Sequence, residues 1–205
     1  MCDCLVVRPE REQDRERVER LIRDAFWDVY RPGCNEHLIV HRMREAACFV
    51  PELNVVAESD GRMAGHAICS RARVENGCGK RFEVLCFGPL AVSSEFRCRG
   101  IGSALIEYLI GEAGRMGFRA MVLFGNPDYY GRFGFRDARY FGITTSSGEN
   151  FSAFMAMELR EGALEGISGR FFEDTVFHVT DEETERFDRR FPFREKHAAQ
   201  DDGRV

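Results

Sequence analysis

Arg97, Cys98, Arg99, Gly100, Ile101, Gly102 and Ser103 put two guanidinium groups and two glycines where an apolar strand gives way to the helix-like run Ala-Leu-Ile-Glu-Tyr-Leu-Ile. Such a turn does anion capture, because the first N–H groups of a helix lack intrahelical partners and, with fixed cations beside them, suit a phosphate. A Walker loop needs Gly-Lys-Ser/Thr, and no such triplet follows Gly100 or Gly102. A dinucleotide fingerprint needs Gly or Ala where Leu105 stands. What remains is Arg97-x-x-Gly100-x-Gly102 after Leu90-Ala91-Val92. Downstream lies a second group, Gly125-Asn-Pro-Asp-Tyr-Tyr-Gly-Arg-Phe-Gly-Phe135, with Asn126 as a helix cap, Pro127 at the first helical position and Asp128 near the positive end.

Together the two groups resemble the GNAT superfamily of N-acetyltransferases. The first is similar to the family's Gln/Arg-x-x-Gly-x-Gly/Ala signature. The segment Tyr129 to Phe135 is similar to its Leu-Tyr-Glu-x-Leu-Gly-Phe element, and residues 125–135 look closer still to YhbS-like predicted acetyltransferases. The resemblance implies an α/β (α+β) fold: a mixed, mostly antiparallel central sheet with a splayed parallel strand pair, flanked by helices. It implies acetyl-CoA as co-substrate, no metal, and direct transfer of acetyl to a primary amine of a small molecule or peptide.

On that resemblance the pyrophosphate sits on residues 97–103, Gly100 letting the backbone approach it. The main chain of Leu90, Ala91 and Val92 pairs with the pantetheine arm, the Leu90 N–H serving as an oxyanion donor, and Asn126 touches the cofactor. Tyr130 donates a proton to the coenzyme A sulfur; its alternative is a packing tyrosine. The strand 120–124 carries no carboxylate, which leaves Glu83 as candidate base, against the reading of an edge-facing Glu. His66, between Gly65 and Ala67 in an apolar strand, reads as a core residue. Cys98 lies in the phosphate loop, and no Cys/His nucleophile pairing is recognisable. A rival from another class is an acyl-CoA-binding sensor or interaction module without turnover.

The elements that must position these residues follow from periodicity. A strand over 4–8 precedes a helix whose Val18, Leu21, Ile22, Ala25, Phe26 and Val29 form one buried stripe, the intervening charges reading as a solvated face. A second helix is expected over 36–47. Strands over 53–58 and 63–74 flank Ser-Asp-Gly-Arg, a hairpin signal. The strand 82–92 contains Gly88-Pro89, which calls for a bulge or kink. A helix from Ile101 to about Met116 stops at Gly117, and strands are expected over 120–124, 135–143 and 150–159.

At 205 residues the chain suits one core domain over 1–160. An extension over 161–194 would pack on that core or on a dimer partner, and a disordered tail would follow over 195–205. Eight of the eighteen Phe fall from Phe151 onward, so the extension must cover something. Thr180-x-x-Glu183 is a capping box before a short helix. The net charge of -5 gives no reason to expect nucleic acid. No leader or membrane span is visible, so the cytoplasm is the expected compartment. Cys2-x-Cys4 and His37-x-x-x-His41 have ligand residue types, but a frayed terminus and an exposed helix face account for them more simply.

Overall fold

The turn at Asp60-Gly61 adopts the backbone its residues favour: φ is 51° and 74° at the two positions, the paired left-handed geometry of a tight hairpin. The computed structural model describes residues 5–199. In chain order the elements are β1 (Leu5–Pro9), α1 (Arg15–Phe26), α2 (Glu36–Met43), β2 (Phe49–Ser59), β3 (Arg62–Glu75), β4 (Arg81–Val92) and α3 (Ile101–Arg115). They continue with β5 (Ala120–Phe124), α4 (Pro127–Tyr130), β6 (Arg136–Asp137), β7 (Ile143–Thr144), β8 (Phe154–Glu158), β9 (Gly169–Phe172) and α5 (Asp181–Asp188). Hydrogen-bonded neighbours run β1-β2-β3-β4-β5-β8-β6, with β9 against β3 and β7 against β9. No helix among the described residues is long and apolar enough to cross a membrane.

Two compact units result. The first comprises residues 5–68, 89–108 and 175–199. Here β1 runs antiparallel to β2 from Leu5↔Ser59 to Pro9↔Val55, and Val18, Ile22, Val40 and Met43 pack with Val56, Ile68 and Ala91. The stripe on α1 is therefore where the spacing put it. Its charges are not all solvated, however. Asp14, Glu19 and Arg23 are buried, because each meets a partner that the local pattern does not show. Asp14 takes Arg8 at 2.6 Å, Glu19 takes Arg44 at 2.6 Å, and Arg23 takes Asp188 at 2.6 Å. The second helix ends at Met43, short of Ala47, and Arg44 turns inward to bind Glu10 through two nitrogens at 2.6 and 3.0 Å.

The C-terminal segment packs on this same unit. Thr180 and Glu183 form the reciprocal capping box, and α5 lays Phe187 against His37 and His41 at 5.3 and 4.6 Å. Beyond it, Glu195 accepts from the Trp27 indole N–H at 3.0 Å, Lys196 contacts Glu185 at 3.4 Å, and His197 contacts Asp28 at 3.2 Å. The expected disordered tail thus does not begin at Glu195; residues 200–205 lie outside the described residues.

The second unit comprises residues 69–88 and 109–174. α3 closes in this unit with a Schellman motif: Phe118 N–H donates to Ala113 O and Gly117 N–H to Gly114 O, both at 3.1 Å, with Gly117 at φ 85°. β5 pairs antiparallel with β8 from Ala120↔Glu158 to Phe124↔Phe154. β6 and β8 are shorter than the expected strands. Asp137 caps a 3-10 turn over Ala138–Phe141 that ends at left-handed Gly142, cutting off the first. The Phe154 N–H donates to Phe151 O, folding residues 151–154 into a turn, so the second begins at Phe154. The extension's β9 pairs antiparallel with β3 at Arg73↔Phe172, Val74↔Phe171 and Glu75↔Arg170, covering the chain's own sheet.

Candidate active site

In the first unit residues 97–100 lie at the surface. Ser93 N–H donates to Ala64 O at 2.9 Å, fixing the end of β4 beside β3, and a 3-10 turn over Ser94–Phe96 buries Phe96. The guanidinium groups of Arg62 and Arg99 lie over its ring at 5.3 and 5.6 Å. Cys98 and Gly100 take left-handed φ of 61° and 80°, which bends the chain so that α3 starts at Ile101. Arg97, Cys98, Arg99 and Gly100 are exposed, and Ile101 and Gly102 are buried. A Cβ at Gly100 would meet nothing within 4 Å, so its face is open to a ligand. Among the described residues Arg97 and Arg99 form no ion pair, so two cations without a counter-ion stand just before the start of α3. These features fit a pyrophosphate.

Gly65 is a site residue that the sequence reading passed over. A Cβ there would lie 2.9 Å from Ile101 Cγ2, 3.0 Å from Leu105 Cδ1 and 3.0 Å from Ala91 O, so its absence seats the first turn of α3 on the sheet. A glycine inside an apolar strand was the available signal. Leu90 and Val92 are half-buried and Ala91 is buried.

His66 has the opposite character. It is fully buried, and its Nε2–H donates to Asn54 Oδ1 at 2.7 Å, a tautomer set by the Asn54 Nδ2, which donates to Glu10. Burial, assisted by the Arg44 charge, holds its pKa down to about 3. His37 is also buried; its Nδ1 lies 3.4 Å from Cys34 Sγ and its Nε2 lies 3.2 Å from Asp188, off line for a hydrogen bond. Burial lowers its pKa to about 4, Asp188 pulling the other way. His41 binds Glu19 at 2.9 Å. Cys2 and Cys4 lie outside the described residues.

Both buried histidines are neutral when folded and take a proton near pH 6.5 when unfolded, so the unfolded state binds more protons below that pH. Stability is then complete above about pH 6.5 and declines toward pH 4, by up to about 1.4 kcal/mol per pH unit for each histidine. Denaturant titrations at stepped pH measure this slope, and His37→Gln should remove about one proton's worth; a flat profile from pH 6.5 to 4 would refute the assignment.

In the second unit the parallel β4–β5 ladder contains two pairs, Leu85↔Met121 and Cys86↔Val122. β5 continues to Phe124, but its β4-facing edge is unpaired after Val122, just before Gly88-Pro89 in β4. Proline has no N–H to give a ladder, so Pro89 has no main-chain donor with which to resume the pairing. Phe87, the first β4 residue past the ladder, meets the ring of Tyr130 edge-on at 6.0 Å. Tyr129 and Phe135 pack on the same ring at 5.1 and 5.9 Å.

Asn126 caps α4 as its position implied, its Oδ1 accepting from Asp128 N–H at 2.9 Å. Gly125 was not singled out, yet a Cβ there would lie 2.3 Å from Tyr130 Cε2. Tyr130 reaches its place because residue 125 has no side chain. Glu83 is exposed on β4, and its Oε1 accepts from Arg71 at 2.8 Å.

Comparison with known proteins agrees with this geometry. Residues 19–135 match the acetyltransferase (GNAT) family. The chain is 27% identical over 165 residues to the N-acetyltransferase YhbS of Escherichia coli K12, covering 80% of this chain and 93% of that protein. The crystal structure of Escherichia coli YhbS in complex with CoA superposes with a TM-score of 0.75 at 26% identity, covering 87% of this chain and 94% of the other. A GNAT family acetyltransferase from Brucella melitensis in complex with acetyl-CoA gives a TM-score of 0.69 at 26% identity, over 85% and 99% of the two chains. With both motifs, the opened strand pair and more than half its length matched, this chain belongs to the acetyltransferase (GNAT) family and has its fold.

Proposed function

We propose that the protein moves the acetyl group of acetyl-CoA directly to a primary amine of a small molecule or peptide. The observation that carries this reading is the β4–β5 ladder ending at Cys86↔Val122, which leaves main-chain groups free for the pantetheine arm. The relatives solved with CoA and acetyl-CoA support the choice of donor. Residues 97–103 take the pyrophosphate, and the main chain of Leu90, Ala91 and Val92 takes the arm, the Leu90 N–H facing the carbonyl oxygen. Asn126 contributes to cofactor binding from the cap of α4.

The amine nitrogen attacks the thioester carbon, the C–N bond forms, the nitrogen gives up one proton to water, and the C–S bond breaks. The Tyr130 hydroxyl gives its proton to the departing thiolate and is restored from water. An alkylammonium with pKa near ~10.4 must first lose a proton at a cost of roughly 4 to 5 kcal/mol at neutral pH. The base role for Glu83 competes with its ion pair to Arg71, since the carboxylate must leave the guanidinium to accept that proton. Glu83→Gln is therefore expected to change kcat/KM by less than about threefold, as for a surface pair; a loss of a hundredfold or more would make Glu83 the base.

Free-thiol release from acetyl-CoA across a panel of amines tests the reading. Replacing Arg97 and Arg99 together by Ala should weaken coenzyme A binding roughly tenfold to a hundredfold in calorimetry, with little effect on pantetheine, which has no pyrophosphate. Coenzyme A binding without thiol release for any amine would instead favour the non-catalytic sensor. Cys34, Cys69, Cys78 and Cys98 are free thiols, which is in keeping with a reducing, cytoplasmic setting.

A further inference from the structure

Phe124 is the one exposed residue of β5; the four before it are buried. Its ring stacks with that of Phe151 at 6.0 Å and an interplanar angle of 25°, and the two are 48% and 45% exposed. Beneath them Phe154 and Phe171 are buried, with Phe154 at 5.0 Å and Phe171 at 6.5 Å from the Phe124 ring. The exposed pair is held firmly. Gly125 N–H donates to Ala153 O at 2.8 Å, Phe154 N–H donates to Phe151 O at 2.9 Å, and Phe124 and Phe154 are opposed in the β5–β8 ladder. Two half-exposed rings stacked over a buried aromatic pair, one set by strand pairing and the other by a turn, form a built apolar surface.

Its place in the fold indicates that use. Phe124 lies on β5 just past the last β4 pair, at Val122, and is followed by Gly125, which makes room for Tyr130. The apolar surface thus lies on β5 two residues beyond the point where its β4-facing edge opens, the edge at which the acetyl group is proposed to react. We propose that Phe124 and Phe151 form a specificity ledge for the acceptor, receiving the aromatic body of the amine while its nitrogen reaches the thioester. This rests on the acetyl-transfer reading and names its substrate class. An aromatic body is the fitting occupant because offset and edge-on ring contacts add to simple apolar burial.

The test compares phenethylamine with ethanolamine, amines of similar ammonium character but different bodies, using thiol release from acetyl-CoA. Wild-type protein should show a KM for phenethylamine about tenfold or more below that for ethanolamine. Phe151→Ser, at a surface turn, should raise the phenethylamine KM about tenfold and change kcat less than about twofold, with ethanolamine unaffected. Phe151→Tyr should retain the wild-type value, and Phe124→Ala should repeat the Phe151→Ser pattern.

Equal KM values for the two amines in wild type, or equal losses for both in Phe151→Ser, would overturn the ledge and leave acetyl transfer standing. So would a Phe151→Ser effect confined to longer acyl-CoA donors, or self-association in sedimentation that the variant abolishes without altering amine selectivity. Absence of thiol release with every amine would instead overturn the acetyl-transfer reading, and the ledge with it.

Discussion

Tyr130→Phe is expected to lower kcat about a hundredfold, within the range for loss of a positioned proton donor, while acetyl-CoA binding stays within about threefold because the role proposed for that hydroxyl is at the departing sulfur. The ring contacts with Phe87, Tyr129 and Phe135 do not require the hydroxyl, so the variant keeps that packing. The loss should also be smaller for thioesters with better leaving groups, since a more stable thiolate needs its proton less. Gly125→Ala provides an independent route to the same position. Its added Cβ would fall 2.3 Å and 2.6 Å from two carbons of the Tyr130 ring, so the ring must move, and turnover and thermal stability should fall together. An unchanged kcat for Tyr130→Phe at every pH would make Tyr130 a packing residue.

Arg44→Ala should have the largest effect on stability. The Arg44 side chain is 3% exposed, and its partners Glu10 and Glu19 are 3% and 4% exposed. Removing the guanidinium leaves two carboxylates buried without their cation. Breaking such a group typically costs about 3 to 5 kcal/mol, which for a chain of this size lowers Tm by roughly 10 °C. Neutralising the whole group, with Arg44→Met, Glu10→Gln and Glu19→Gln together, should recover much of the loss, because the desolvation penalty disappears with the charges. Differential scanning calorimetry on both variants separates the cases; a loss under about 1 kcal/mol for Arg44→Ala would show that the group is effectively solvated.

The parts that local chemistry specifies were legible before any coordinates. Asp60-Gly61 named its own turn, Asn126-Pro127 its own helix start, Gly117 its own helix stop, and Thr180 with Glu183 its own cap, since each depends on residues a few positions apart. The turn before α3 and the helix start at Ile101 were legible for the same reason. What escaped was set by partners distant in sequence. Glu19 and Arg23 have the spacing of a wet helix face, and neither their neighbours nor their period reveals Arg44 or Asp188. Gly65 and Gly125 are recognisable as glycines in strand-like runs, but the atoms that crowd them, on α3 and on the Tyr130 ring, are known only from the packing. The strand over 135–143 failed because a single side-chain cap at Asp137 and one left-handed glycine outweighed a run of β-favouring aromatics.

The unit that contains residues 97–103 is assembled from three separate stretches of sequence, and Asp188 and Glu195 close on Arg23 and Trp27. On the ribosome its opening helices would therefore emerge well before the residues that complete their cover, whereas the unit containing Tyr130 needs nothing beyond residue 174. Synthesis order thus favours maturation of the Tyr130 unit first, and leaves the other unit waiting for residues 175–199.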